Sequence, residues 1–162
     1  VRPERGRLLA GAAVLGVAVV AAAATVAAIG RDGGGPAVVV ADERGREVAS
    51  VPLPEGGRFA LRYRHSVYRA EVTETFAAGD GGFRLVTIAS PSEAVLDYYE
   101  LEGRRAATGA LWRLEPAASP RLASLPLVAT EVGRRTLVVG DRQVPLFASG
   151  GAPAHLVLTV RR

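Results

Sequence analysis

Cysteine, lysine and methionine are all absent from this 162-residue chain, and histidine occurs only at His65 and His155. The lack of cysteine excludes disulfides, thiol nucleophiles, iron–sulfur clusters and zinc sites built on thiolates. The lack of lysine excludes a Schiff-base lysine and a phosphate-loop lysine. Two imidazoles are too few for a histidine-rich metal site. All 20 basic residues are therefore arginine, and the formal net charge is +4. Apolar residues make up 49% of the chain, enough to support a folded core and to exclude wholesale disorder. The length suits about one domain of roughly 100–200 residues.

Leu8 to Ile29 is a 22-residue stretch without a charge. A helix of about 20 apolar residues spans a bilayer core of about 30 Å. Arg2, Arg5 and Arg7 precede the stretch, while Arg31 and Asp32 cancel on its far side. The positive-inside bias then places the N-terminus in the cytoplasm and residues 31–162 outside it. Val26-Ala27-Ala28 also offers a small-residue cleavage site, so a cleaved signal segment is the alternative to an anchor, and the domain is then secreted. The sequence thus divides into a basic flank (1–7), a transmembrane helix or signal segment (8–29), a Gly-rich linker (30–36) and an extracytoplasmic β domain (37–162). Removing the flank leaves 17 arginines against 15 acids in residues 31–162. That balance is a solvated mixed surface and argues against nucleic acid as a partner.

From Ala37 onward the chain reads as short strands between turn residues. Val38-Val39-Val40 leads through Asp42-Glu43-Arg44-Gly45 into Glu47–Val51. Residues 58–67 alternate, with Phe59, Leu61, Tyr63, His65 and Val67 on one face and Arg58, Arg62, Arg64 and Ser66 among those on the other. Residues 68–76 alternate as well, and a strand follows a Gly-rich turn at 83–89. Further strand-like runs fall at 110–114, 127–131, 136–139 and 156–160. Residues 91–101 read either as a helix, with Ser90 as N-cap, Pro91 first and Gly103 beyond the end, or as an extended edge segment. Many short strands with frequent Gly/Pro turns predict an all-β fold, an antiparallel sandwich or small barrel, preceded by one transmembrane helix.

One constellation stands out. A hairpin centred on Arg69-Ala70 sets His65 opposite Glu74, both on an otherwise apolar face. A carboxylate there needs a partner, and His65 supplies one across the strands. Three readings follow: a structural pair that sets register; a binding site for an organic acid using Arg62, Arg64, His65, Ser66 and Glu74, with arginine gripping a carboxylate; and a metal site from His65, Glu74 and Glu71. The last is spoiled because Glu71 points away from Glu74. Ser66, His65 and Asp97 supply the residue types of a hydrolytic triad, but neighbours on a strand face opposite ways and no Gly-x-Ser-x-Gly turn is present. His155 reads as a surface or capping residue, and Tyr98, Tyr99 and Trp112 as core. No catalytic residue, cofactor or metal is expected.

The run Phe59-Ala-Leu-Arg-Tyr-Arg-His65-Ser66-Val67-Tyr-Arg-Ala-Glu71-Val72-Thr-Glu74-Thr-Phe76 resembles the signature of domain-of-unknown-function family 1850. His65, Ser66, Val67 and Glu74 fall on its His-Ser-Val strand end and the glutamate before an aromatic. The resemblance extends over roughly residues 38–160. It implies a small bacterial membrane-targeted protein, with an accessory role near permeases of the tripartite ATP-independent periplasmic type, particularly the branch with TAXI-class solute-binding proteins. Where many transporter-linked members carry a Gly-Ala-Gly-type turn, this chain has Ala89-Ser90-Pro91-Ser92-Glu93. No chemistry is implied, and the partners expected are the membrane, through residues 8–29, and a permease subunit.

Overall fold

The computed structural model describes residues 35–79 and 81–162; the flank, the apolar segment 8–29 and most of the linker lie outside them. Among the described residues no helix is long and apolar enough to cross a membrane. The described chain is all-β apart from one short helix, and its strands form two antiparallel sheets.

The smaller sheet holds β1 (Ala37–Asp42), β2 (Glu47–Pro52), β8 (Ser124–Ala129) and β11 (Ala154–Arg161), in the order β2-β1-β11-β8. Valine-rich β1 is paired on both sides, and Val38 and Val40 lie wholly inside. At its end Asp42 Oδ1 accepts the amides of Arg44 and Arg46, and Gly45 takes φ +75°, closing the turn into β2.

The larger sheet has seven strands in the order β10-β9-β3-β4-β5-β7-β6. They are β3 (Arg58–Arg64), β4 (Glu71–Gly79), β5 (Gly82–Ser90), β6 (Gly103–Thr108), β7 (Leu111–Pro116), β9 (Thr136–Val139) and β10 (Arg142–Pro145). The expected strand pattern matches most of these. Two strands escaped it, β6 and β10, and both are sheet edges. Every residue of β6 is exposed, so nothing selects an apolar alternation there. Strands also stop sooner than expected around the central turn, at Arg64 and again from Glu71.

One face of the central strands of the larger sheet is inward, but two different covers share it. At one end Phe59, Leu61, Phe76 and Phe83 pack against Val38, Val40, Leu127 and Leu158 of the smaller sheet. Phe59 stacks on Phe76, with ring centroids 5.2 Å apart, and Phe83 meets both rings edge-on. At the other end Val72, Ile88 and Leu114 are covered by α1 (Glu93–Tyr98) through Val95 and Leu96, which are fully buried. Burying each of those two side chains contributes about 1.5–3 kcal/mol. A register shift between Thr75 and Phe76 lets β5 present both Phe83 and Ile88 inward, so one sheet face serves both clusters.

The helix resolves the two readings of residues 91–101, with different caps from those expected. Its N-cap position is Ser92, whose side chain makes no capping bond. Ser90 instead ends β5, fully buried, and its Oγ accepts the Ser92 amide at 3.2 Å. Glu100 turns the chain out of the helix at φ +52°, while Gly103 opens β6, where a Cβ would collide with the Glu115 carbonyl oxygen.

Candidate functional site

The hairpin of β3 and β4 pairs Leu61 with Glu74, Tyr63 with Val72 and Arg64 with Glu71. This differs by four residues from the register expected, so His65 is not opposite Glu74. The His65 amide instead donates to the Ala70 carbonyl at 2.8 Å, and residues 66–69 form the tip. Two interactions set that wider turn. Nδ1 of His65 accepts the backbone N–H groups of Val67 and Tyr68, each at 3.3 Å. Arg69 closes the tip at φ +56°, its amide donating to the His65 carbonyl at 2.9 Å. An imidazole that accepts at Nδ1 carries its proton on Nε2. The register slip is even, so within β3 and β4 the inward and outward sets are the ones expected, whereas Val67 and Tyr68, expected inward, fall in the wider tip and are exposed.

His65 is 5% exposed, and aromatic rings enclose it: Tyr68 at 5.2 Å between centroids and Tyr98 at 4.7 Å, edge-on. Large apolar side chains are exposed around this shell, beside Ser66 and Arg69. Val67 and Val132 are each 64% exposed, Tyr98 61% and Tyr68 42%. The expectation of Tyr98 as core is thus reversed; Tyr99 and Trp112 do pack against the helix cluster. Val132 belongs to the β8–β9 connection, which docks on the end of β3 through a bond from the Arg64 amide to the Gly133 carbonyl at 2.8 Å.

Glu74 finds other partners. It lies on the inward face where the two clusters meet, between Val72 and Phe76 on its own strand and beside Leu61 and Ile88 across it. Its Oε1 accepts the hydroxyl of Tyr63 at 3.0 Å and that of Tyr99 at 2.5 Å, and the two hydroxyls are themselves 2.5 Å apart. Burial, and after it the charge on Glu74, pushes both phenols well above the ordinary tyrosine range. The Arg135 guanidinium lies over the Tyr63 ring, 4.4 Å from its centroid. The need for a partner at Glu74 was legible in the sequence. Tyr99, 25 residues further along the chain, was not.

The other candidate residues do not converge on this point. Arg62 and Arg64 are exposed on the outward face; Arg62 donates to Oε1 of Gln143 at 2.5 Å and Arg64 Nε to the Arg69 carbonyl at 3.0 Å. Ser66 is exposed on the tip, and Glu71 sits beside Arg64 on the outward face. Asp97 is tied to Arg105 by an ion pair. His155 is exposed at the start of β11, opposite Val128. Among the described residues no group of three His, Cys, Asp or Glu side chains is placed to hold a metal ion, and no buried side-chain nitrogen or oxygen lacks a hydrogen bond. His65 and Glu74 are each engaged by the chain's own groups: one holds a loop, the other holds a helix end to a sheet. No family model, curated protein or solved structure matches this chain.

Proposed function

We propose that this chain is a non-catalytic binding domain, a β-sandwich held outside the cytoplasm by the membrane segment 8–29, whose partner is the extracytoplasmic part of a solute transporter. The observation that carries a binding role is the tip at the end of β3 and β4. There Val67, Tyr68 and Tyr98 are exposed around a buried histidine that fixes the loop beneath them. Exposed aromatic side chains on a preorganised loop lose little entropy on docking, and such anchors dominate protein interfaces. The buried polar groups at this end, His65 and Glu74, are already used by the fold, which favours a docking role over a reaction. The transporter as partner rests on the resemblance of residues 59–76 and on the apolar segment.

The test is affinity purification of the full chain from gently solubilised native membranes, against a control lacking residues 37–162. A polytopic permease that travels with the full chain, and is lost in a Tyr68→Ala, Tyr98→Ala variant of unchanged melting temperature, is the outcome expected. Equal recovery with that variant removes the tip from the interface. No permease under crosslinking removes the transporter.

A further inference from the structure

We infer that the outward face of the smaller sheet is where two copies of this chain meet in the membrane, around a two-fold axis running along the strands. The inference rests on the tethering proposed above. Val38, Val40, Leu127, Leu156 and Leu158 point into the core, so their neighbours along the strands point out. Those neighbours include Val39 and Ala41 on β1, Pro126 and Val128 on β8 and Val157 on β11, with Val48 beside the inward Ala49 on β2. Val48 is 40% exposed, Val128 50% and Val157 37%. The outward face of the larger sheet differs, carrying Arg62, Arg64 and Arg113, all exposed. Apolar side chains gathered on one sheet face, unlike single ones scattered over a surface, mark an interaction site.

The register fixes what a second copy meets. Ala41, Val157 and Pro126 stand in one row across three strands, and Glu47 with Val48 ends the row on β2. A two-fold axis between β1 and β11 lays β1 on β11 of the second copy and β2 on its β8. Ala41 then faces Val157 and Val48 faces Pro126, apolar against apolar. Glu47 and Arg161 pair within their own chain at 3.4 Å, and Arg161 faces Ala37 of the second copy, so neither meets its like. Both Pro36 ends lie on one side, as two spans in one bilayer require, and the His65 tips stay uncovered at the other. An axis across the strands sets the Pro36 ends apart. Edge-to-edge pairing is disfavoured, because Pro126 removes an amide from β8 and Pro52 ends β2. Six residues by four strands give a face of about 20 by 19 Å, so two copies cover on the order of 800 Å² in all. A stable complex free in solution needs roughly 1,200–2,000 Å². Confinement of both spans to one membrane raises the effective concentration and offsets that shortfall, which favours a copy held alongside over a partner arriving from solution.

The absence of cysteine gives a clean test. Val157→Cys, Ser66→Cys at the tip and Arg113→Cys on the larger sheet are each made in two differently tagged forms of the full chain. The two forms are co-expressed, and native membranes are treated with a bismaleimide. The two copies of position 157 fall about 11 Å apart from the strand and sheet spacings, and the reagent is chosen to that length. A crosslinked band carrying both tags is expected at position 157, absent at 66 and 113, and lost when Val128→Glu is added at unchanged melting temperature. Equal two-tag bands at all three positions are random collisions and overturn the pairing. A band joining position 157 to another protein, a permease included, gives the face to that protein and overturns it as well. A thiol at 157 that is shielded from monomaleimide yet forms no band is covered by the chain's own apolar segment or by lipid, which also overturns it. A reactive, uncrosslinked thiol at 157 in a chain that stays in the membrane overturns the pairing and leaves the tether standing. A chain recovered outside the membrane overturns both. The comparison of the three positions decides the matter even if Val128→Glu impairs folding.

Discussion

The hydroxyl of Tyr99, one residue beyond α1, donates to Oε1 of Glu74 in the middle of β4 at 2.5 Å, and thereby ties the only helix among the described residues to the central strands. Tyr63 reaches the same oxygen at 3.0 Å, so three oxygens share two hydroxyl protons. Neither phenol can leave without changing the other's bonding.

Tyr63→Phe and Tyr99→Phe are each expected to destabilise the domain by about 1 kcal/mol, the usual net worth of a hydrogen bond. The double variant should cost less than the sum, because each single change already disturbs the shared arrangement. Urea unfolding of the four proteins gives the coupling directly, and strict additivity would show that the three groups act independently.

The same pair sets an alkaline limit. Burial and the Glu74 charge raise both phenols in the folded state, whereas the unfolded chain ionises near pH 10. A group whose folded value is raised contributes stability in full below its unfolded value and loses it as pH rises beyond that. Stability should therefore fall above about pH 10, with Tyr63 and Tyr99 ionising only as the fold is lost. Tyrosinate absorbance followed beside circular dichroism checks this; full ionisation of all 4 tyrosines with an intact β spectrum would contradict it.

An acid limit arises at Asp42. The backbone bond from Arg46 is the main cause holding its carboxyl below the ordinary range, assisted by the Arg44 amide and the Arg46 charge against a partial desolvation. A lowered value contributes stability above the unfolded pKa, lost as pH falls through the folded one. Asp42→Asn should flatten the acid limb of a stability–pH curve below about pH 4 while leaving the alkaline limb alone. An unaltered acid limb counts against this turn as a source of stability.

His65→Phe keeps the ring but removes the acceptor for two amides. Hydrogen exchange at Val67 and Tyr68 should accelerate, and global stability should drop by about 1–3 kcal/mol, the range for leaving a half-buried donor unmatched. His65→Asn restores an acceptor near Nδ1 and should recover part of the protection. Unchanged exchange in His65→Phe would mean that the strands alone hold the loop.

Gly82 is predicted to be irreplaceable for a different reason. It is buried in β5 beside the bridge between Phe83 and Leu122, and a Cβ there would collide with the Leu122 carbonyl oxygen. Gly82→Ala should force the 121–122 segment off the sheet and cost about 1–3 kcal/mol, as overpacking does. A melting temperature within error of the parent would show that the segment moves freely.

Alternation along residues 58–64 and 71–76 was enough to assign their faces, because side chains on a strand point to opposite sides in turn, whatever the strand pairs with. That period placed His65 and Glu74 inward and Arg62 and Arg64 outward, and runs such as Val38–Val40 marked strands without knowledge of their neighbours. Pairing was another matter. A two-residue turn at Arg69-Ala70 and a four-residue tip at 66–69 satisfy the same alternation, and what separates them is a tertiary detail, the imidazole Nδ1 that gathers two amides. Edge strands β6 and β10 carried no periodic signal because neither face of β6 is buried and β10 turns only Val144 partly inward. Glu74 needed a hydrogen-bond donor on physical grounds that local sequence states plainly. Tyr99 became that donor only when Val95 and Leu96 seated α1 on the sheet, since apolar burial is non-directional and the position of a hydroxyl is settled by the packing of everything around it.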